Sequence, residues 1–202
     1  MTFIPVVELL EGDLTAYVPT NLVSMTDGQV FLSMPLFTEG FRPAVDVGLS
    51  VSRVGSRVQW KAMKAVAKSL RLEFIQFKEL LRVSKLQTGG QSDEMREKLD
   101  SGKILQALLT QPANSPISQE VQIICFFCKN EGILNGLDKD QVAEFQDGIP
   151  DRAAKEDSSL FTLMRSTKDL SEEVKTRITR LAQSFIKEIK SKKKEEDEVE
   201  VG

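Results

Sequence analysis

The chain has 202 residues, of which 41% are hydrophobic and 28% are charged, a composition typical of one medium globular domain or a small pair of domains. Its 27 basic and 30 acidic residues give a formal net charge of −3, which argues against a general polyanion-binding protein. It contains no histidine, so catalytic dyads that depend on histidine and the commonest metal ligand are excluded. No apolar run is long enough to span a bilayer.

Residues 1–50 carry one basic side chain, Arg42, and six acidic ones. Secretory signals begin with basic residues, and mitochondrial presequences are rich in arginine and poor in acids. We therefore expect neither kind of targeting segment at this end of the chain.

Residues 1 to about 53 predict short strands separated by turns. The segment is rich in Val, Thr and Phe and is interrupted by Pro5, Pro19 and the Asp27-Gly28 pair, which are turn signals. The predicted strands are 3–7, 14–18, 22–24, 30–32 and 45–51. No helices alternate with them, so they cannot form a sheet that is covered on both faces. We expect the missing half of the sheet to lie on another polypeptide.

From residue 54 to about 190 the apolar residues recur with a helical period, which predicts roughly six helices. Ser92, Ser118 and Ser171 stand where helix N-caps are expected. Residues 192–202 hold eight charges in eleven residues, which predicts a disordered tail. Helix breaks are expected at 89–90, 101–102, 111–116, 132–136, 148–150 and 166–170.

Two cysteines, Cys125 and Cys128, form a CFFC pair in an apolar helical stretch. A zinc site would need two more ligands, but the chain offers no third cysteine and no histidine. A redox motif would need a βαβ setting. We therefore expect buried structural cysteines in a reducing compartment and no metal site.

Nine basic residues follow one another at intervals that are mostly three or four. From Arg57 onward this spacing predicts one face of a long helix. The interpretation favoured by the acidic total is a solvated helix face, and the alternative is a phosphate-backbone site with Trp60 stacking on a base. The residues are Arg53, Arg57, Lys61, Lys64, Lys68, Arg71, Lys78, Arg82 and Lys85.

Two long motifs carry a family resemblance. Residues 17–32 are YVPTNLVSMTDGQVFL and residues 40–56 are GFRPAVDVGLSVSRVGS. In this order and at this spacing they closely resemble the alpha subunit of the rotary, F-type ATP synthase. The likeness continues more weakly through AMKAVAKSLRLEFIQF, through LLTQ at 108–111 and into the helical region, so it covers nearly the whole chain except the charged tail.

The resemblance implies an α+β fold with three parts. Residues 1–55 would be the C-terminal half of a P-loop-type α/β nucleotide-binding domain, 56–190 an all-α helical bundle domain, and 191–202 the charged tail. An intact alpha subunit has a β-barrel and the P-loop half of this domain upstream. The chain therefore resembles the C-terminal piece of a split or processed alpha subunit.

For the catalytic site, the resemblance implies that Arg53 is an arginine finger that reaches the active site of the neighbouring beta subunit. Ser24 and Gly28 would line the same interface. A planar, permanently charged guanidinium suits the charge that spreads over the equatorial oxygens in phosphoryl transfer. Without the resemblance, an arginine paired with a carboxylate at a strand end would be the simpler interpretation.

For the non-catalytic nucleotide site, the resemblance implies that Arg42 and Pro43 pack near the nucleotide and that Gln111 contacts adenine. The family often has a second glutamine two residues later, where this chain has Ala113. That departure puts the adenine contact in doubt. A further departure is the Arg57-Val58 pair after Gly55-Ser56, because the family usually has two small residues at these two positions.

The implied function is support of proton-driven ATP synthesis in the headpiece, with no chemistry by the chain alone, because it has no GxxxxGK[ST] loop. ATP or ADP with Mg²⁺ would be held mainly by the P-loop fragment and by beta. The implied partners are an N-terminal alpha fragment, beta subunits, the central stalk gamma subunit and the peripheral stalk. The implied location is the matrix side of the mitochondrial inner membrane, or alternatively a plastid or bacterial membrane. Neither insertion into the membrane nor binding of nucleic acid is expected. The alternatives are a nucleic-acid-binding helical protein and a free-standing assembly or regulatory factor of the headpiece.

Overall fold

The computed structural model describes residues 2–86 and 92–200, and helices dominate it. Two short strands, β1 Gly28–Gln29 and β2 Val51–Ser52, pair antiparallel. Short 3-10 turns lie at Leu10–Gly12 and Gly55–Val58. The helices are α1 Tyr17–Met25, α2 Met34–Thr38, α3 Lys61–Ala67, α4 Leu70–Leu86, α5 Asp93–Leu109, α6 Gln119–Asn130, α7 Lys139–Glu156, α8 Leu160–Thr167 and α9 Glu172–Glu200.

The first fifty residues contain less strand than expected. The predicted strands at 14–18 and 22–24 are wrong, because α1 occupies most of that stretch. Pro19 lies in the first turn of α1, where a missing backbone N–H costs nothing. Residues 3–7 lie outside regular structure, since no neighbouring strand among the described residues takes up their hydrogen bonds. Beyond β1 and β2, Leu32 forms an isolated bridge with Val45.

Two of the predicted helix breaks are wrong. Gly102 lies inside α5, and Gly148 and Pro150 lie inside α7. Both glycines let another helix approach closely. A Cβ on Gly102 would lie 2.7 Å from the Cβ of Phe77, and a Cβ on Gly148 would lie 2.5 Å from Phe185 Cζ.

The expected N-caps are confirmed. The Oγ atoms of Ser92, Ser118 and Ser171 accept hydrogen bonds from the backbone N–H three residues further on, at 3.3–3.4 Å. Asp138, which was not among the predicted caps, caps α7 and forms a capping box with Gln141. The loops expected at 111–116, 132–136 and 166–170 separate helices in the structure, whereas the break expected at 89–90 lies outside the described residues.

The basic residues do not follow one long helix, so that prediction is wrong. Arg57 lies in a 3-10 turn, and turn residues Lys68 and Ser69 separate α3 from α4. Further along α4, Lys78 forms an ion pair with Glu39 at 2.7 Å. The cations are therefore distributed over three elements with different surroundings.

One hydrophobic core joins the helical region to residues 36–44. Leu36, Phe41 and Ala44 belong to the same buried cluster as the inner faces of α3 to α9. The Phe41 and Phe74 rings stack with centroids 5.4 Å apart. The two parts of the chain are thus packed together.

Helix α9 continues to Glu200, where the sequence analysis expected disorder. Lysine and glutamate favour helices, and Lys192 pairs with Glu188 one turn earlier and with Glu144 of α7. Within the described ranges, no helix combines the length and the apolar character that a membrane crossing requires.

Candidate functional site

Arg53 directly follows β2 and is held by two backbone carbonyls. Its N–H donates to Asp27 O at 2.8 Å, and its guanidinium Nη2 donates to Val23 O at 3.3 Å. Val23 lies in the last turn of α1, where carbonyl groups have no partner within the helix. The side chain is exposed and forms no ion pair with a carboxylate among the described residues. Its cationic head is therefore anchored by backbone yet open to a ligand.

Gly28 begins β1 with φ +145° and lies opposite Ser52 in the register. A Cβ at this position would overlap Val51 O and lie 3.0 Å from Ser52 Cα. Any other residue would push the two strands apart and move Arg53, which follows Ser52.

Ser24 lies in the last turn of α1, next to the carbonyl that accepts from Arg53. Its Oγ donates to Thr20 O at 2.8 Å and its side chain is exposed. Thr26, which no sequence pattern above singled out, has its Oγ1 2.9 Å from Leu22 O and 3.1 Å from Gly28 O, so its one hydroxyl proton can be donated to either carbonyl. Its hydroxyl thus links the end of α1 to β1. The sequence feature that could have indicated this role is its position directly before the Asp27-Gly28 turn.

The residues predicted for a non-catalytic nucleotide site lie where the loop after α2 meets the loop after α5. Gln111 N donates to Arg42 O at 2.9 Å, which joins residues far apart in the sequence. Arg42 places its guanidinium carbon 4.8 Å from the centroid of the Phe37 ring, a cation–π contact that the sequence analysis missed. Pro43 follows through a cis peptide bond. The structure thus brings Arg42, Pro43 and Gln111 together.

Where these two loops meet, the side chains of Gln111 and Arg42 keep free hydrogen-bond donors. Within the described residues, the Gln111 amide and the Arg42 guanidinium have no hydrogen-bond partner or ion pair. A side-chain amide can donate to and accept from the edge of a purine, and an exposed guanidinium suits phosphate. Ala113 is exposed and adds no polar group.

The two cysteines are buried structural residues, as expected. Cys125 and Cys128 lie fully buried in α6 as free thiols. Burial raises the pKa of the Cys125 thiol to about 12 and raises the pKa of Cys128 well above its usual range. Protonated, inaccessible thiols are poor nucleophiles and poor ligands. Among the described residues, no group of three or more Cys, Asp or Glu side chains could hold a metal ion.

Apolar side chains are exposed throughout residues 3–58. Phe3 is 81% exposed, Val6 93% and Tyr17 83%. The helices from α5 onward bury their large apolar side chains and show no comparable exposure in the described ranges. Exposed apolar surface of this extent marks an interaction site.

The fold defines a class of protein: a short portion of a nucleotide-binding domain followed by an all-helical domain. Residues 1–52 match the nucleotide-binding domain of the ATP synthase alpha/beta family. Residues 59–185 match the C-terminal domain of the ATP synthase alpha/beta chain. The chain belongs to the ATP synthase alpha/beta family.

Proposed function

We propose that this chain is the C-terminal part of an ATP synthase alpha subunit and that Arg53 serves as an arginine finger in the catalytic site of an adjacent beta subunit. The observation that carries the proposal is the state of Arg53, which is anchored on Asp27 O and Val23 O while its guanidinium stays exposed and without a carboxylate. A structural ion pair, the competing interpretation, would bury or neutralise that charge.

The geometry suits a finger for a physical reason. The transferred phosphoryl group spreads negative charge over three oxygens in the transition state, and a guanidinium can donate to two of them at once. Such fingers contribute roughly 10³–10⁵-fold in rate. Gly28 supports this role, because the close strand approach there positions the backbone from which Arg53 extends, and Ser24 directly follows Val23, whose carbonyl accepts from the Arg53 guanidinium.

We further propose that Arg42, Pro43 and Gln111 belong to a non-catalytic nucleotide site. Gln111 would meet the adenine edge and Arg42 would lie near the phosphates, since both side chains keep free donors. Mg²⁺ and most phosphate contacts would come from the P-loop half of the domain and from beta, because the 202 residues hold no such loop. With Ala113 in place of a second amide, we expect weak adenine selectivity.

The exposed apolar surface of residues 3–58 supports assembly with other subunits. In the proposal, the P-loop half of the nucleotide-binding domain and a beta subunit cover it, while the helical domain faces the gamma subunit, and a peripheral stalk completes the headpiece. The headpiece would lie on the matrix side of the mitochondrial inner membrane or on the equivalent face of a plastid or bacterial membrane. Intact masses of the chains in the purified complex test whether the P-loop half is a separate polypeptide.

Replacing Arg53 with lysine in the assembled enzyme tests the finger. Arg53→Lys keeps the charge but loses the fork that contacts two oxygens, so we expect multisite ATP hydrolysis to fall by about 10²-fold or more while assembly stays intact. Turnover and subunit stoichiometry are measured on the same preparation.

The matched control is Arg57→Lys, which makes the same chemical change at an exposed arginine four residues on. We expect little loss of turnover from it. Equal losses in the two variants would indicate a general electrostatic effect. A failure of Arg53→Lys to assemble would instead identify a structural role.

A further inference from the structure

Four exposed cations lie on the outer side of the segment that leads into α4. They are Arg57, Lys61, Lys64 and Lys68, and they are called the basic surface below. Lys61, Lys64 and Lys68 are spaced by three and four residues, and the backbone of Lys68 is still helical at φ −56° and ψ −40°, so the three share one face. The opposite face of α3 is buried through Ala62, Met63 and Val66.

This segment differs in charge from the rest of the chain. Residues 47–72 carry six basic residues and no acidic one, although the whole chain has a net charge of −3. Elsewhere, some exposed or half-exposed lysines pair with carboxylates, as Lys78 does with Glu39 at 2.7 Å and Lys103 with Asp100 at 2.8 Å, whereas others form no ion pair among the described residues. Within residues 2–86 and 92–200, no side chain of the basic surface forms a hydrogen bond or an ion pair.

The arrangement is unfavourable for an isolated chain. Like charges three and four residues apart on a helix repel each other, and no neighbouring carboxylate offsets this among the described residues. A second part of the fold adds to the positive charge, because the Lys168 ammonium lies 6.0 Å from the centroid of the Trp60 ring and Lys168 O accepts from Ala62 N at 3.1 Å. Negative charge supplied from outside would relieve this repulsion.

Exposed apolar residues neighbour these cations in the sequence. Val58 is 79% exposed and Val54 is 41% exposed, and both flank Arg57. A phosphate backbone offers nothing that would cover aliphatic groups, whereas a protein segment can place an apolar residue between carboxylates. The mixture favours a polypeptide over a nucleic acid.

We propose that the basic surface binds an acidic segment of a neighbouring subunit, with carboxylates facing Lys61, Lys64 and Lys68 and an apolar side chain covering Val58. The proposal rests on the proposed function only in that the neighbour belongs to the same assembly. It does not require Arg53 to be a finger.

Zero-length crosslinking of the assembled headpiece tests the contact directly. A carbodiimide joins an amine to a carboxylate that already touches it, with the activator leaving as a urea. We expect amide links from Lys64 or Lys68 to Asp or Glu residues of another subunit, identified by mass spectrometry of the digested complex. The variant Lys64→Arg/Lys68→Arg keeps the charge without an amine, so it should assemble normally and lose these links.

Charge reversal gives the energetic test. We expect the fraction of Lys64→Glu/Lys68→Glu retained in the headpiece to fall about tenfold at low salt, with the difference shrinking towards ~1 M salt as charges are screened. The matched control is Lys190→Glu, an exposed lysine of α9, which should be retained like the unaltered chain. Turnover per retained chain should stay unchanged, which distinguishes this contact from the role of Arg53.

Two results would overturn the proposal. One is normal retention of the charge-reversed variant together with an absence of crosslinks from Lys61, Lys64 and Lys68 to another subunit. The other is salt-dependent micromolar binding of a labelled ~20-nucleotide RNA by the headpiece that disappears in Lys64→Glu/Lys68→Glu, which would assign the surface to nucleic acid.

Discussion

Substituting Gly102 with alanine tests how closely α4 and α5 approach. The new Cβ would overlap the ring of Phe77 and lie 2.7 Å from the Phe77 Cβ, whereas carbon atoms pack at about 3.5–4.0 Å. Rotation of the ring cannot remove the second clash, because a Cβ is fixed to its backbone. The helices would have to separate by about 1 Å, and Phe77, which is 2% exposed, has no room to leave the core.

The magnitude follows from two opposing effects. Overpacking of a core costs about 1–3 kcal/mol, and the severity of this overlap puts Gly102→Ala near the upper end. Alanine regains about 1 kcal/mol of helix propensity relative to glycine. We therefore expect a net loss of about 2 kcal/mol in the free energy of unfolding. The assay is urea unfolding of the dilute full chain followed by circular dichroism, with Trp60 fluorescence as a second probe.

A second background makes the reasoning refutable. In a chain that already carries Phe77→Ala, the overlaps with the ring are gone and only the contact with the Cβ of residue 77 at 2.7 Å remains. The destabilisation caused by Gly102→Ala should then be clearly smaller than about 2 kcal/mol, since the propensity gain of about 1 kcal/mol is unchanged. A destabilisation of similar size in both backgrounds would show that Phe77 is not the reason for the glycine.

The remaining predictions concern thiols, pH and nucleotide. Because burial holds Cys125 protonated, the folded chain should react with iodoacetamide at pH 8 far more slowly than the urea-unfolded chain; equal rates would contradict the burial. The hydrogen bonds from Arg177, one of them 2.7 Å long, lower the pKa of Asp157. The ion pair therefore stabilises the fold fully above the pKa of Asp157 in the unfolded chain, near 3.8. This contribution is lost as the pH falls through the lower pKa of the folded chain. The stability cost of Asp157→Asn should therefore be full at pH 7 and shrink below about pH 4; an equal cost at pH 7 and pH 2 would contradict this. The isolated chain should bind ATP weakly, since it has no phosphate loop; micromolar affinity in calorimetry would sink this expectation.

Local signals in the sequence predicted part of the fold well. The serine caps at 92, 118 and 171 are confirmed, because a hydroxyl bonding to the third N–H is a local event. Glycine was the less reliable signal. Gly102 and Gly148 were interpreted as breaks, but each serves a contact with a distant helix that no local pattern contains. Pro19 was likewise interpreted as a turn signal, although it lies inside the first turn of α1.

The candidate sites show the same division between local and distant information. No spacing rule joins Arg42 to Gln111 or Arg53 to Val23, because these contacts depend on how loops fold back between elements. The long motifs at 17–32 and 40–56 supplied these positions through resemblance. Thr26 and Phe37 escaped notice, since their contacts are to a backbone carbonyl and to the Arg42 cation, respectively.

The junction around Phe41 has a mechanical consequence. The Phe41 ring stacks on Phe74 of α4, and Lys78 of the same helix forms an ion pair with Glu39. In addition, Arg42 O accepts a hydrogen bond from the backbone N–H of Gln111, just beyond α5. Because these three contacts differ in chemistry and lie at separate points, the junction has little freedom to bend. A tilt of α4 or α5 would therefore move Arg42 with it, because the junction does not bend to compensate. Such stiffness would couple any movement of the helical domain to the charged Arg42 side chain.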